Sequence, residues 1–222
     1  MSSSTSRPAI PLRARNATTL KLEIVRLVRE KLRTDNLESI VVKPLCQELG
    51  IAPATFFNHF PGKTDVLIYF IQLWTVRLEF LSLEKCGHEA GMRFLEALFA
   101  VFAEDVEEHP RLMQEIISYI ATAESRPEFR PIGKVDLLLA WPQLNGVEEL
   151  EVRDVGDVMR EHISVIYQGK KNSTRLEESL FESLVSLFYG YPMTAKVLQI
   201  SDISKGLRRQ LETVWQGHQL GK

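Results

Sequence analysis

Between residues 20 and 32, apolar side chains recur at one-face helical spacing: Leu20, Ile24, Leu27, Val28 and Leu32. Lys21, Arg26, Arg29, Lys31 and Arg33 fall mostly elsewhere, so this helix carries a basic outer face. Asn16 or Thr18 can cap its start, and Thr34-Asp35-Asn36 marks its end. Two very short helical segments follow. The first covers residues 42–49, with Val42, Leu45 and Leu49 on its apolar side and Pro44 tolerated in the first turn. Gly50 is suited to a left-handed stop, and after Ile51-Ala52, Pro53 opens a segment over residues 53–59. Pro61-Gly62 ends that segment, and a longer helix is predicted over residues 63–83.

The rest of the chain also follows helical periods. Helices are predicted over residues 88–108, 111–124, 148–168, 174–189 and 201–216. Residues 125–146 form a loop-rich stretch with Pro127, Pro131, Gly133, Pro142 and Gly146, and a short apolar helix over residues 135–141 lies inside it. Gly169 to Ser173 interrupts the pattern. No alternating strand pattern of useful length and no internal repeat occurs. The predicted fold class is all-α.

Composition changes this picture little. The 222 residues are 45% apolar and 25% charged, an ordinary globular balance able to bury a core. Two cysteines cannot build a disulfide framework, which points to a reducing compartment. The most apolar run, residues 66–76, is broken by Gln72 and is shorter than the ~20 residues a membrane-crossing helix needs. Residues 1–15 are Ser-rich and then basic, with Pro8 and Pro11 opposing a helix, so they are expected to form a flexible basic arm carrying Arg7, Arg13 and Arg15. The arm lacks the apolar core of a secretory signal, and a cytoplasmic protein is the expectation.

Charge is more informative. Residues 1–70 hold ten Lys/Arg against six Asp/Glu, and residues 71–222 hold 17 against 23. A basic front and an acidic back point to a front that meets a polyanion. The front also carries two short helices joined by a Gly-containing turn and followed by a long helix, which is a helix-turn-helix layout. In that layout the second helix offers its exposed face to the major groove. Phe56 and Phe60, spaced i, i+4, can form its buried side, while Thr55, Asn58 and His59 can face out. Asn can pair with adenine, and Thr can meet bases or phosphates.

The run from Gly50 to Lys63, with Leu67 four residues on, resembles the TetR family of transcriptional regulators. Gly50, Thr55, His59, Phe60, Lys63 and Leu67 match that family's pattern outright, and Ile51 and Phe56 conservatively. The motif covers residues 20–70 or so. The resemblance implies a helix-turn-helix DNA-binding domain over residues 16–62 and a ligand-binding and dimerisation domain over residues 63–222. It implies DNA contacts from Lys43, Pro53, Ala54, Thr55, Phe57, Asn58, His59 and Lys63, with Lys63 and His59 near phosphate and Phe60 locking the second short helix into the core. Three departures stand out. Phe57 replaces the family's usual Tyr and cannot hydrogen-bond phosphate, though it can meet a thymine methyl or a sugar edge. Ile40-Val41 replaces the usual Thr-Thr, removing a cap and a phosphate contact, and Ala52 replaces the usual Ser cap.

The resemblance further implies an effector pocket in the back half. Phe94, Phe99, Phe102, Met113, Tyr119, Trp141, Met159 and Tyr167 are candidates to line it, although plain core is the stronger reading for any one of them. It also assigns the last two long helices to a dimer interface, for which Leu180, Leu184, Phe188, Leu207, Leu211 and Val214 are the candidates. A dimer reading a palindrome doubles the contact that one short helix can make. The expected function is a ligand-responsive transcriptional regulator, a repressor that binds a palindromic operator on double-stranded DNA as a homodimer. A small, largely apolar effector releases it by shifting the long helix behind the reading head. The alternative is an adaptor or ligand-binding protein of the same fold without sequence-specific DNA recognition. No enzyme is expected: His109 and His162 lack a nucleophile setting, and no glycine-rich phosphate loop occurs. No cofactor or metal is expected either, since Cys86-Gly87-His88 offers too few ligands and Cys46 reads as a small core residue.

Overall fold

Pro11 decides where helical structure begins. The structure, a computed structural model, describes residues 10–123 and 130–220. In it Pro11 is extended (φ −55°, ψ 134°), and its carbonyl accepts a hydrogen bond from the Arg15 amide at 3.0 Å. Helix α1 therefore runs Leu12–Lys31. The arm expected over residues 1–15 is corrected at its end, because Arg13 and Arg15 are helical. A proline opposes a helix only from inside; just before one, its missing amide is no loss. Residues 1–9, with Arg7 and Pro8, lie outside the described residues.

Helices α2 (Val42–Glu48) and α3 (Pro53–His59) stand where the spacing predicts them. Helix α4 (Lys63–Cys86) runs past residue 83 and stops at Gly87, whose φ of 64° lets the His88 amide donate back to the Leu83 carbonyl at 2.8 Å. Left-handed residues His88 and Gly91 follow, so α5 begins at Met92 rather than residue 88 and spans Met92–Glu108. Next come α6 (Pro110–Thr122) and α7 (Lys134–Ala140). The expected end of α6 at Glu124, and Pro127 in the loop, fall outside the described residues. The helix predicted over residues 148–168 is shorter. A 3₁₀ turn, Val147–Glu149, precedes it, and α8 (Val155–Tyr167) starts where the Asp154 carboxylate accepts the Asp157 amide at 2.8 Å.

The last two helices are longer than predicted: α9 spans Ser173–Val197 and α10 spans Ile203–Leu220. Helix α9 continues through Pro192, where a helical hydrogen bond is lost. Burial offsets that loss, because Tyr191 and Ala195 are 5% and 2% exposed, and Lys196 Nζ reaches Gln114 on α6 at 2.9 Å.

Ten α-helices and no strand occur among the described residues, so the all-α expectation holds. Helix α4 lies at the centre, packed on α5, α1 and α7; α5 packs in turn on α10 and α8, and α9 on α8 and α10. One core runs from Ile24 and Phe56 in the front to Leu184 and Leu211 in the back. By length and composition alone α4 could cross a membrane, and 72% of its apolar window is buried inside the fold. Gln72, which interrupts its apolar run, is buried and donates to the Arg130 carbonyl at 2.8 Å.

Gly206 on α10 permits one close crossing. A Cβ added there would stand 1.7 Å from the Tyr191 hydroxyl, which has no hydrogen-bond partner. Gly206→Ala is therefore expected to destabilise the protein by about 1–3 kcal/mol, against the usual gain from replacing a helical glycine. Tyr191→Phe should be nearly neutral alone and should recover part of the loss in the double variant. Urea unfolding of the four proteins checks this, and additive effects would refute the contact.

Candidate functional site

The corner between α2 and α3 is made by Gly50. Its φ is 66°, and the Ile51 amide donates to the Cys46 carbonyl at 2.9 Å, so α2 stops and the chain turns within four residues. Pro53 then occupies the first turn of α3, with no side-chain cap from Ala52. Helix α3 is held by two aromatics. Phe56 and Phe60 are both 0% exposed, with ring centroids 6.1 Å apart, and Phe60 meets Tyr69 of α4 edge-on at 5.5 Å.

The opposite side of α3 faces outward. Pro53, Ala54 and Asn58 are exposed, and Phe57 is 51% exposed with only an edge contact to Phe56. Ala54, Phe57 and Asn58 have the i, i+3, i+4 spacing that puts them on one face. Lys43 at the start of α2 is exposed too, beside Val41, which is 61% exposed and supplies no side-chain cap. Thr55 and His59 are only partly exposed. Burial lowers the His59 pKa, helped by nearby Lys21, so the ring tends toward neutral.

Lys63 has a local task that the sequence did not disclose. Its ammonium donates to the Glu38 carbonyl at 2.5 Å and the Ile40 carbonyl at 3.1 Å, tying the loop before α2 to the start of α4. The remaining proton is the one left for an outside acceptor.

Long-range polar ties fasten this front unit to the back, and sequence reasoning found none of them. Asp136 on α7 accepts from Lys21 and Thr18 of α1 and from Tyr69 of α4, the last at 2.6 Å, while its other oxygen accepts the Gly133 amide at 2.9 Å. Burial alone would raise this carboxyl. Hydrogen bonds from Lys21, Tyr69 and the Gly133 amide outweigh it and hold the pKa below the usual value. The Tyr69 hydroxyl is pushed well above its ordinary value by burial and by Asp136. Arg130 pairs with Asp65 at 2.9 Å and donates to the carbonyl of His59 at 3.4 Å, and Glu115 of α6 accepts the Leu37 amide at 2.9 Å. These partners sit far apart in sequence, on different elements, so no local pattern could have flagged them.

Behind the front unit lies a cavity of about 340 Å³, enclosed by α4, α5, α6, α8 and α9. Its wall is mostly aliphatic: Ile68, Ile71, Ile116, Ile117, Ile120 and Val185, with Trp74, Phe181 and Tyr189. Of the eight candidate lining residues, Phe102 and Met113 are there. The other six are corrected. Phe94 stacks on His162 at 3.5 Å, and Phe99 packs edge-on against Phe188. Trp141 donates to the Leu73 carbonyl at 3.1 Å, and Met159 and Tyr167 are sealed at 0% exposure. Tyr119 lies outside the cavity wall. The isoleucines of the wall carry the same periodicity as any core residue, so residue type does not mark them out. The polar lining residues are Thr75, Asp154, Asp157 and Arg160, and Arg160 is paired with Glu178 at 2.8 Å and lies over Phe181.

The dimer-interface candidates are corrected as well. Leu180, Leu184, Phe188, Leu207 and Leu211 are at most 3% exposed within a single chain, so they form its own core, and Phe188 also lines the cavity. Val214 alone of the six is partly exposed. It lies in a shallow groove between α9 and α10 with Ser183, Gly190 and Gly217. Leucine spacing identifies a buried face but not the partner that buries it.

Among the described residues, no group of three or more His, Cys, Asp and Glu side chains could hold a metal ion, and Cys46 and Cys86 are free thiols. No known family model matches the chain, and no curated protein matches it in sequence.

Proposed function

We propose that this protein is a helix-turn-helix DNA-binding regulator of TetR type. The observation that carries the reading is the outward face of α3. Phe57 is half-exposed between Ala54 and Asn58, while Phe56 and Phe60 on the other side are fully buried. A helix so anchored presents a small, mostly neutral face with one amide able to read a base and one ring able to meet a thymine methyl. Lys43 and the start of α2 supply positive charge beside it. The apolar cavity against α4 is suited to a largely apolar effector, and α4 joins that cavity to the reading head. An effector that binds one arrangement of α4 better than another would shift the reading heads of a dimer away from the ~34–36 Å spacing of successive major grooves. The groove between α9 and α10, with small residues Ser183, Gly190 and Gly217 around Val214, is the face proposed to meet a second copy. No catalytic role, cofactor or metal is part of this reading.

The test is selection of bound sequences by the full chain from a pool of random duplex DNA at near-physiological salt. A palindrome should be enriched, with affinity falling steeply as salt rises. Asn58→Ala should lower affinity for the enriched site by about tenfold or more and relax specificity at one base pair, a discrimination of about 1–3 kcal/mol. A folded, dimeric protein that enriches nothing would overturn the reading in favour of an adaptor or ligand-binding protein of the same fold.

A further inference from the structure

A second cleft, of about 500 Å³, opens between the C-terminal half of α1 and the junction of α5 with α6. Its wall brings together Arg26, Arg29, Arg33, Arg111 and His109, with Glu30 and Glu108 as the acidic members. Glu30 holds Arg26 at 2.7 Å, and Glu108 lies 3.6 Å from His109, an ion pair where that imidazole is protonated. Arg29, Arg33 and Arg111 have no carboxylate at ion-pair distance among the described residues.

Arg29 is the unusual member. Its guanidinium lies over the face of Phe70 at 4.7 Å, and its Nε is buried with no hydrogen-bond partner. Burial, then nearby Arg77, lowers its pKa, while Asp105 and Glu108 act in the opposite sense. A guanidinium stacked on a ring keeps its edge donors free to meet an acceptor in the cleft. Arg33, in the turn after α1, and Arg111, in the first turn of α6, both line the cleft, so an anion between them would gain forked hydrogen bonds from both.

We propose that this cleft binds a small phosphate-bearing anion, held by Arg29, Arg33 and Arg111. Three guanidiniums with no carboxylate at ion-pair distance among the described residues, in a cleft of this size, suit a compact group carrying one or two phosphates. Glu30 and Glu108 in the wall disfavour an extended polyanion such as a nucleic-acid backbone. The site lies apart from the outward face of α3 and from the apolar cavity, and it does not depend on the proposed DNA-binding function. Because it joins α1 to α5 and α6, a bound anion would stiffen the junction between the front helices and the rest.

Isothermal titration of the full chain with inorganic pyrophosphate at about 0.1 M salt tests this, since exposed charges are already screened beyond ~10 Å there. Saturable binding of one pyrophosphate per chain is expected. The exposed pair of substitutions Arg33→Gln and Arg111→Gln should weaken it at least tenfold without changing the melting temperature of the free protein. Lys43→Gln, on the α2 face, should leave it unchanged. Heat without saturation, unchanged binding in the double variant, or equal weakening by Lys43→Gln would each overturn the proposal. Tighter binding of citrate than of pyrophosphate would overturn the phosphate assignment. Displacement of pyrophosphate by a short DNA duplex that leaves Arg33→Gln/Arg111→Gln unbound would reassign the cleft to nucleic acid.

Discussion

Replacing Asp136 by Ala is expected to destabilise the protein by about 3–5 kcal/mol, the range for removing one member of a buried charged pair. Asp136 is buried, and its carboxylate satisfies the Lys21 ammonium, the Tyr69 and Thr18 hydroxyls and the Gly133 amide together. Without it, Lys21 is left partly buried with only the Tyr69 ring near it, and Tyr69 keeps a buried hydroxyl with no acceptor. Asp136→Asn should cost less, since the amide oxygen can still accept two of these bonds. The sign of the pH dependence follows from the lowered pKa. The folded state binds the proton less well than the unfolded chain, whose value is near 3.8. The stabilisation is therefore complete above that value and is lost as pH falls through the lower, folded pKa. Urea unfolding at pH 7 and at successive values below pH 4 should show wild type converging on Asp136→Ala as acid is added. Parallel curves over the whole range would count against the assignment.

Phe188→Ala is expected to have an effect of similar size, about 3–5 kcal/mol, from lost burial plus the space left behind. Phe188 is 1% exposed, stacks on Phe102 at 3.8 Å, and meets Trp74, Phe99 and Tyr189. It also forms part of the cavity wall, so its removal should enlarge the 340 Å³ space and strengthen binding of bulky apolar dyes at low temperature, where the variant stays folded. The experiment separates two roles for the leucine- and phenylalanine-rich face of α9. Truncating a core residue lowers the unfolding free energy of each chain. A residue of an intersubunit contact would instead leave the subunit stable and make the protein dissociate in sedimentation, and that result would sink the assignment made here.

Much of the front unit was legible before any coordinates. The ends of α2 and α3 follow from Gly50, Pro53 and Pro61-Gly62, because left-handed stops and proline starts are decided within a turn of the chain. The buried pair Phe56 and Phe60 and the outward Asn58 follow from helical spacing alone. The same local logic misjudges Pro11, which stands just outside α1, and it ends the α9 helix at residue 189, short of Pro192, where the packing of Tyr191 and Ala195 outweighs the local penalty.

Periodicity also settled that Leu180, Leu184, Leu207 and Leu211 are buried, because an apolar stripe must leave water whatever covers it. It could not say that the cover is this chain rather than a second one. That depends on how α9 and α10 cross α5 and α8, a matter of three-dimensional packing. The cavity is a similar case. Its lining comes from five helices spread between Ile68 and Tyr189, and the residues that fill space and those that leave it empty have the same composition. The polar hub at Asp136 and the arginine cleft around Arg29 depend most on tertiary structure. Their members lie up to 118 residues apart, and a charge acquires its meaning only from the burial and partners that folding gives it. Local spacing and turn chemistry were enough for most of the helices, their apolar faces and the exposed side of α3, though not for every helix end. Which faces meet, where space remains and which charges find partners follow from contacts between distant segments, which no local pattern encodes.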